Sequence, residues 1–310
     1  MHPPWSMIFF TTLAGAAQGL LLALVGADAA AALGLTSVPD DLRHGGAAVV
    51  LVLGGIGLAA ATFHLGHPLR AWRAAAMWRT SWLSREVIVL PAFLALTLAW
   101  AATHAARLPT WSLGCGLAAA ALALLLYLCT GMIYGAVSAI REWATPLTPL
   151  NFALLGGASG LLLAAALAAR FAPALAPGFA SIALALTLVG AVTRGASAWR
   201  NHRLAPKTTL QSAIGVRHPR IVQTSQGAMG GSFNTREFFH GRSARVVGRM
   251  RWLAAVLAFG LPAAALAIAP ATPSLLLALV AMQWLGLLAE RWVFFAEARH
   301  PQNLYYQRVG

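Results

Sequence analysis

The chain has 310 residues, a mean hydropathy of +0.71, 59% hydrophobic residues and only 10% charged ones. An ordinary soluble domain is about 45–50% apolar and about 25% charged, so a soluble globular fold is excluded, and a disordered chain needs the opposite composition. The net charge of +14 comes from 22 Lys and Arg against 8 Asp and Glu, and these residues lie mostly between apolar runs, where membrane topology and not nucleic acid accounts for them.

A membrane helix needs about 20 mostly apolar residues. Eight such runs are present, at roughly Met7–Leu33, Gly46–Gly66, Glu86–Ala106, Ser112–Ile140, Leu150–Ala169, Phe179–Trp199, Trp252–Pro270 and Ser274–Ala296. They are far longer than the ~10-residue alternating segments of a barrel. The expected fold is all-α: a polytopic bundle of eight transmembrane helices in a single domain over 1–310, with a long loop at 200–251. Ala27-Asp28-Ala29 resembles a signal cleavage site. No Lys or Arg precedes the first run, however, and the run exceeds a signal h-region, so it reads as a retained helix.

Eight spans put both tails, and the connections after even-numbered helices, on one side. Nineteen of the 22 basic residues fall there; Arg43, Arg107 and Arg170 fall on the other. The positive-inside rule then places both termini in the cytoplasm.

Polar residues within the runs crowd toward the same basic side. His64 closes the second run and Glu86 opens the third. Tyr127, Thr130 and Tyr134 fall at i, i+3 and i+7 of the fourth, on one helical face. Arg194 lies near the end of the sixth, and Gln283 and Glu290 share a face of the eighth. The opposite half offers mainly Asp28 and His104. Intramembrane polar groups are costly and mark functional sites by default. Each also has a plainer reading: Tyr134 as an interfacial anchor, Arg194 as a snorkelling cation, Glu290 as a local pair with Arg291, His64 as a structural histidine.

The segment from Thr62 to Glu86 is the densest. It interleaves Arg70, Arg73, Arg79 and Arg85 with Trp72, Trp78 and Trp82, a composition suited to headgroup level. It reads as the lip of a pocket, with His64 below it and Glu86 re-entering the membrane. Histidine exchanges protons near neutral pH, and a glutamate in a dry site relays them. Such a pair suits a quinol, whose hydroxyls need a proton acceptor as electrons leave. The same chemistry fits a proton-coupled transporter, which also calls for broken helices and inverted repeats.

Resident redox groups find little to hold them. Cys115 and Cys129 are about 21 Å apart along one helix, too far for a disulfide, and two cysteines do not make an iron–sulfur site. Haem needs facing histidines at matching depth, whereas His64 and His104 lie toward opposite ends and His202, His218, His240 and His300 lie outside the main runs. The expectation is no haem and no iron–sulfur cluster in this chain.

Several motifs carry a resemblance. They are HLGHPLRA from His64 to Ala71, LSRE from Leu83 to Glu86, ERWVFF from Glu290 to Phe295, the opening MHPPWSMIFFTTLAGAAQGL, and GGSFNTREFFHG from Gly230 to Gly241. In combination they resemble the membrane anchor subunit (DmsC-like) of DMSO-reductase-type molybdoenzymes. The long loop with its FNTREFFH stretch is more similar to the branch of quinone-linked sulfite dehydrogenases. The resemblance implies a three-part complex: a molybdopterin catalytic subunit, an iron–sulfur electron-transfer subunit, and this anchor in a bacterial inner membrane. It implies electron exchange with membrane quinone, menaquinone or ubiquinone, at His64 and Glu86. Ser84, Arg85, Tyr134 and Glu290 are the further candidate quinone contacts. A proton-coupled transporter and a purely structural anchor are the alternatives. The partner is expected to dock on the 200–251 loop and the Arg70–Arg85 segment, with Phe233, Arg236, Phe238 and Phe239 as anchors.

Overall fold

The computed structural model describes residues 1–63, 67–205, 208–222, 224 and 240–301. His64, Phe233, Arg236, Phe238 and Phe239 lie outside the described residues. Among those described, eight helices are long and apolar enough to cross a membrane. They are α1 (Trp5–Ala32), α2 (Asp40–Thr62), α3 (Trp82–Ala105), α4 (Pro109–Gly135), α5 (Leu147–Phe171), α6 (Ala176–His202), α8 (Ala244–Ile268) and α9 (Pro273–Ala296). A 3-10 segment, Pro68–Met77, precedes α3, and a short helix, α7 (Leu210–Ile214), lies between α6 and α8. The chain is a polytopic membrane bundle, as its composition implies.

Helix ends follow local chemistry. Pro109 and Pro273 open α4 and α9 at the first position, where a missing N–H costs nothing. Asp40 and Asp41 sit in the first turn of α2, where the helix dipole favours negative charge. Gly34 ends α1 with φ of 74°, a left-handed conformation that glycine adopts freely.

Four spans differ clearly from their apolar runs. The second starts at Asp40 rather than Gly46, and α8 starts at Ala244 rather than Trp252, within the expected 200–251 loop. The third starts at Trp82, four residues before Glu86, because the Ser81 hydroxyl accepts from the Ser84 N–H and caps it. The fourth stops at Gly135 rather than near Ile140. The start of α5 crosses it closely there: a Cβ on Gly131 would lie 2.4 Å from the Pro149 Cα. The chain then folds back over the helix end, with Trp143 Nε1 donating to the Phe294 carbonyl at 3.0 Å.

The most enclosed helices are α1 and α5. They meet along a glycine seam, where a Cβ on Gly19 would lie 2.5 Å from the Gly156 oxygen and one on Gly160 only 2.3 Å from the Leu20 nitrogen. Lipid offers no hydrophobic gain for joining helices, so close backbone approach at small residues does that work. A π-helical turn, Ala255–Gly260, interrupts α8. Gln283 of α9 reaches it, donating to the Ala258 carbonyl at 3.3 Å, and Gly286 leaves room for the approach.

The two ends of the bundle are chemically unlike. At one end the Met1 amine donates to the Ala298 carbonyl at 2.9 Å, so the start of α1 lies beside the end of α9. At the other, Asp28 of α1 binds Arg43 of α2 (2.7 Å) and His104 of α3 (2.8 Å), and accepts from Trp100 Nε1 (3.1 Å). This second cluster fastens three successive helices.

Candidate functional site

Glu86 sits in the second turn of α3 at the basic end, 5% exposed. Its carboxylate accepts a hydrogen bond from the Thr130 hydroxyl of α4. Ser84, in the first turn, is also buried. Arg85, between them in sequence, binds elsewhere. Its guanidinium donates to the carbonyls of Trp78 (2.9 Å) and Arg79 (2.8 Å) and lies 4.2 Å from the Trp82 ring centre. It therefore braces the turn that enters α3. Nearby Leu69, Trp72, Met77 and Trp78 are exposed, so this segment presents an apolar surface beside the start of α3.

The expected face of α4 points inward. Tyr127 donates to the Gly15 carbonyl of α1 at 2.7 Å, Thr130 to Glu86, and Tyr134 is buried. The Tyr134 ring is enclosed by Trp143, Phe152, Phe294 and Phe295, with ring centres 5.2–5.7 Å away. It is thus a core residue and not an interfacial anchor. Thr130, which bonds Glu86, lies one turn before it on α4, and Arg291 lies over the Phe152 ring on which Tyr134 stacks, so Tyr134 stands between the Glu86 pair and a second polar cluster.

The second cluster is built on α9. Glu290 is 2% exposed and takes the Arg194 Nε of α6 at 2.5 Å. Its other oxygen lies 2.7 Å from Arg291 Nε, close enough for an ion pair but without hydrogen-bond geometry. Arg194 also reaches Glu297 at 3.7 Å, and Glu297 pairs with Arg251. Arg291 lies over the Phe152 ring at 4.1 Å. Arg194 is accordingly an internal ion-pair partner and not a snorkelling cation. Glu290 does pair with its neighbour Arg291, but within a larger network than a local pair.

Two small cavities flank Arg291. The outer, about 20 Å³, is lined by Asn151, Arg194, Glu290, Arg291 and Glu297 among others. The inner, about 10 Å³, lies among Thr11, Thr12, Phe152, Ser159, Leu287 and Arg291. Each has room for on the order of one water, not for a quinone ring. Of the candidate site residues, Glu86 is joined to Thr130 and Glu290 to Arg194 and Arg291, while Tyr134 lies between these groups. Ser84 is buried in the first turn of α3, Arg85 turns to the Trp78 and Arg79 carbonyls, and His64 lies outside the described residues. Thr12 and the cross-helix role of Arg194 escape sequence reasoning, because a mid-helix threonine has no distinctive pattern and the Arg194–Glu290 contact spans 96 residues.

A family model described as DMSO reductase anchor subunit (DmsC) matches residues 1–289. The chain belongs to this anchor family. It is also 50% identical, over the full length of both proteins, to a sulfite dehydrogenase subunit from Allochromatium vinosum. As an anchor subunit it is the membrane-embedded component of a molybdoenzyme complex.

Proposed function

We propose that this anchor is quinone-reactive and serves a three-subunit molybdopterin oxidoreductase of sulfite dehydrogenase type. In this reading it passes electrons between an iron–sulfur partner and membrane quinone. The observation that carries it is Glu86. This buried carboxyl is held by one neutral hydroxyl, at the basic end of the bundle, beside a Trp- and Arg-rich lip. The full-length likeness to a sulfite dehydrogenase subunit supports the choice of branch.

Sulfite oxidation releases two electrons, and a quinone taking two electrons also takes two protons. The anchor must therefore bring protons to two quinone oxygens in a low-dielectric setting. His64 and Glu86 are assigned that task. Ser84 and Tyr134 line the same end, Glu290 stands behind Tyr134, and Arg85 fixes the lip. The partner docks on the basic end, which faces the cytoplasm of a bacterial inner membrane. Menaquinone and ubiquinone present the same two oxygens to these groups.

The test is His64→Ala in the assembled complex. Quinone-coupled turnover should fall at least tenfold, while turnover with an artificial dye, which bypasses the anchor, persists. Equal quinone-coupled turnover in variant and wild type would favour a purely structural anchor.

A further inference from the structure

Three buried polar atoms around Arg291 lack hydrogen-bond partners: Arg291 Nη1, Glu290 Oε2 and Thr12 Oγ1. Arg291 and Thr12 both line the inner cavity, while Glu290 and Arg291 both line the outer one. Most buried donors and acceptors are satisfied in native proteins, and ordered water does this where the site is polar and roomy enough. Both cavities meet these conditions.

The inner cavity also lies at an informative depth. The Tyr127 hydroxyl bonds the Gly15 carbonyl, and a Cβ on Gly116 would lie 3.3 Å from Val25 Cγ2, two contacts that together set the register of antiparallel α4 against α1. Three residues toward the basic end from that contact are Thr12 on α1 and Thr130 on α4. Thr12 is thus level with the Thr130–Glu86 pair, about 10 Å along α1 from its first residue. At the outer cavity, Glu297 pairs with Arg251, whose side chain is 58% exposed.

We propose that each cavity holds a bound water and that these waters, with Glu290, form a proton inlet from the basic face to the level of Glu86. The inlet deepens the quinone-site reading and rests on it. Arginine stays charged and does not relay protons, so Arg194 and Arg291 orient the waters and balance Glu290. Glu290 is the most buried carboxylate of the cluster and stands nearest the inner cavity through Arg291, while Glu297 and Glu142 line the outer cavity nearer the basic face. In each hop one O–H bond forms as another breaks. The net result is one proton moved inward for each quinone oxygen protonated, with the charge of the cluster the same before and after.

The test uses the complete complex in liposomes containing quinone, with Glu290→Gln, Thr12→Val and Glu86→Gln compared. Glu290→Gln should slow quinone-coupled turnover about tenfold or more, and Thr12→Val severalfold. Small weak acids such as acetate or hydrazoic acid should restore part of both losses by carrying protons. A purely structural defect would not respond to them, so losses without rescue would overturn the inlet. If Glu290→Gln fails to assemble, Thr12→Val, which changes no charge, decides by the same criteria. Wild-type turnover in Glu86→Gln would sink the quinone-site reading and the inlet together. A slow Glu86→Gln alongside wild-type rates in Glu290→Gln and Thr12→Val would sink the inlet alone.

Discussion

Two buried carboxylates at the basic end are held in different ways. Glu290 sits between two guanidinium groups, whereas Glu86 has the Thr130 hydroxyl as its hydrogen-bond partner. Removing that hydroxyl should therefore act on Glu86 directly. Thr130→Val is expected to cost about 1–3 kcal/mol of stability and to lower quinone-coupled turnover more than dye-linked turnover, measured on the same preparation. Asp28 gives a contrasting case at the far end. Its partners Arg43, Trp100 and His104 make it a fastening for three helices. Asp28→Ala should destabilise by about 3 kcal/mol, read as a lower melting temperature in detergent, with quinone-coupled turnover per assembled complex preserved. Much of this is legible in the sequence: the i, i+3, i+7 spacing puts Tyr127, Thr130 and Tyr134 on one face, and polarity singles out Glu86 and Glu290. Their partners are not legible there. An arginine near a helix end has the same local pattern whether it snorkels or crosses to a glutamate 96 residues away.

At the scale of elements, the bundle depends on how closely its helices approach. A Cβ on Gly160 would meet backbone atoms of Gly19 and Leu20 at 2.3–2.5 Å, and backbone cannot swing aside. Gly160→Ala should force α1 and α5 apart, costing on the order of 1–3 kcal/mol as overpacking does. Gly114 on α4 has open space around its Cβ position. Gly114→Ala should be neutral or stabilise by up to about 1 kcal/mol through helix propensity. Thermal unfolding of the two variants side by side checks the pair. Hydropathy locates all eight spans because the bilayer requires length and apolarity. It misses the end of α4, where apolar Val137 and Ile140 extend the run although the chain has already turned over Tyr134. It also misses the start of α8, whose first turns carry Arg245, Arg249 and Arg251.

For the whole molecule, charge and chemistry point the same way. The basic loops, the Trp-rich lip, Glu86 and the Glu290 cluster share one end, and the Asp28 cluster occupies the other. In the proposed reading, electron transfer from a partner requires short distance, which puts the docking face at the same end as Glu86. Arg236→Ala with Phe239→Ala is expected to reduce recovery of the soluble subunits with membranes, and cysteine labelling should find the 200–251 loop on the cytoplasmic side. Wild-type recovery, or labelling from outside, would contradict the docking arrangement. The central claim is that quinone reacts at the Glu86 end of this subunit, and a photoreactive quinone analogue cross-linked to the assembled complex tests it most directly. Peptide mapping should find the label between Phe63 and Glu86 or on α4 near Thr130, with loss of labelling when native quinone competes. Competable label near Asp28 and His104 at the opposite end, or confined to another subunit, would contradict that claim.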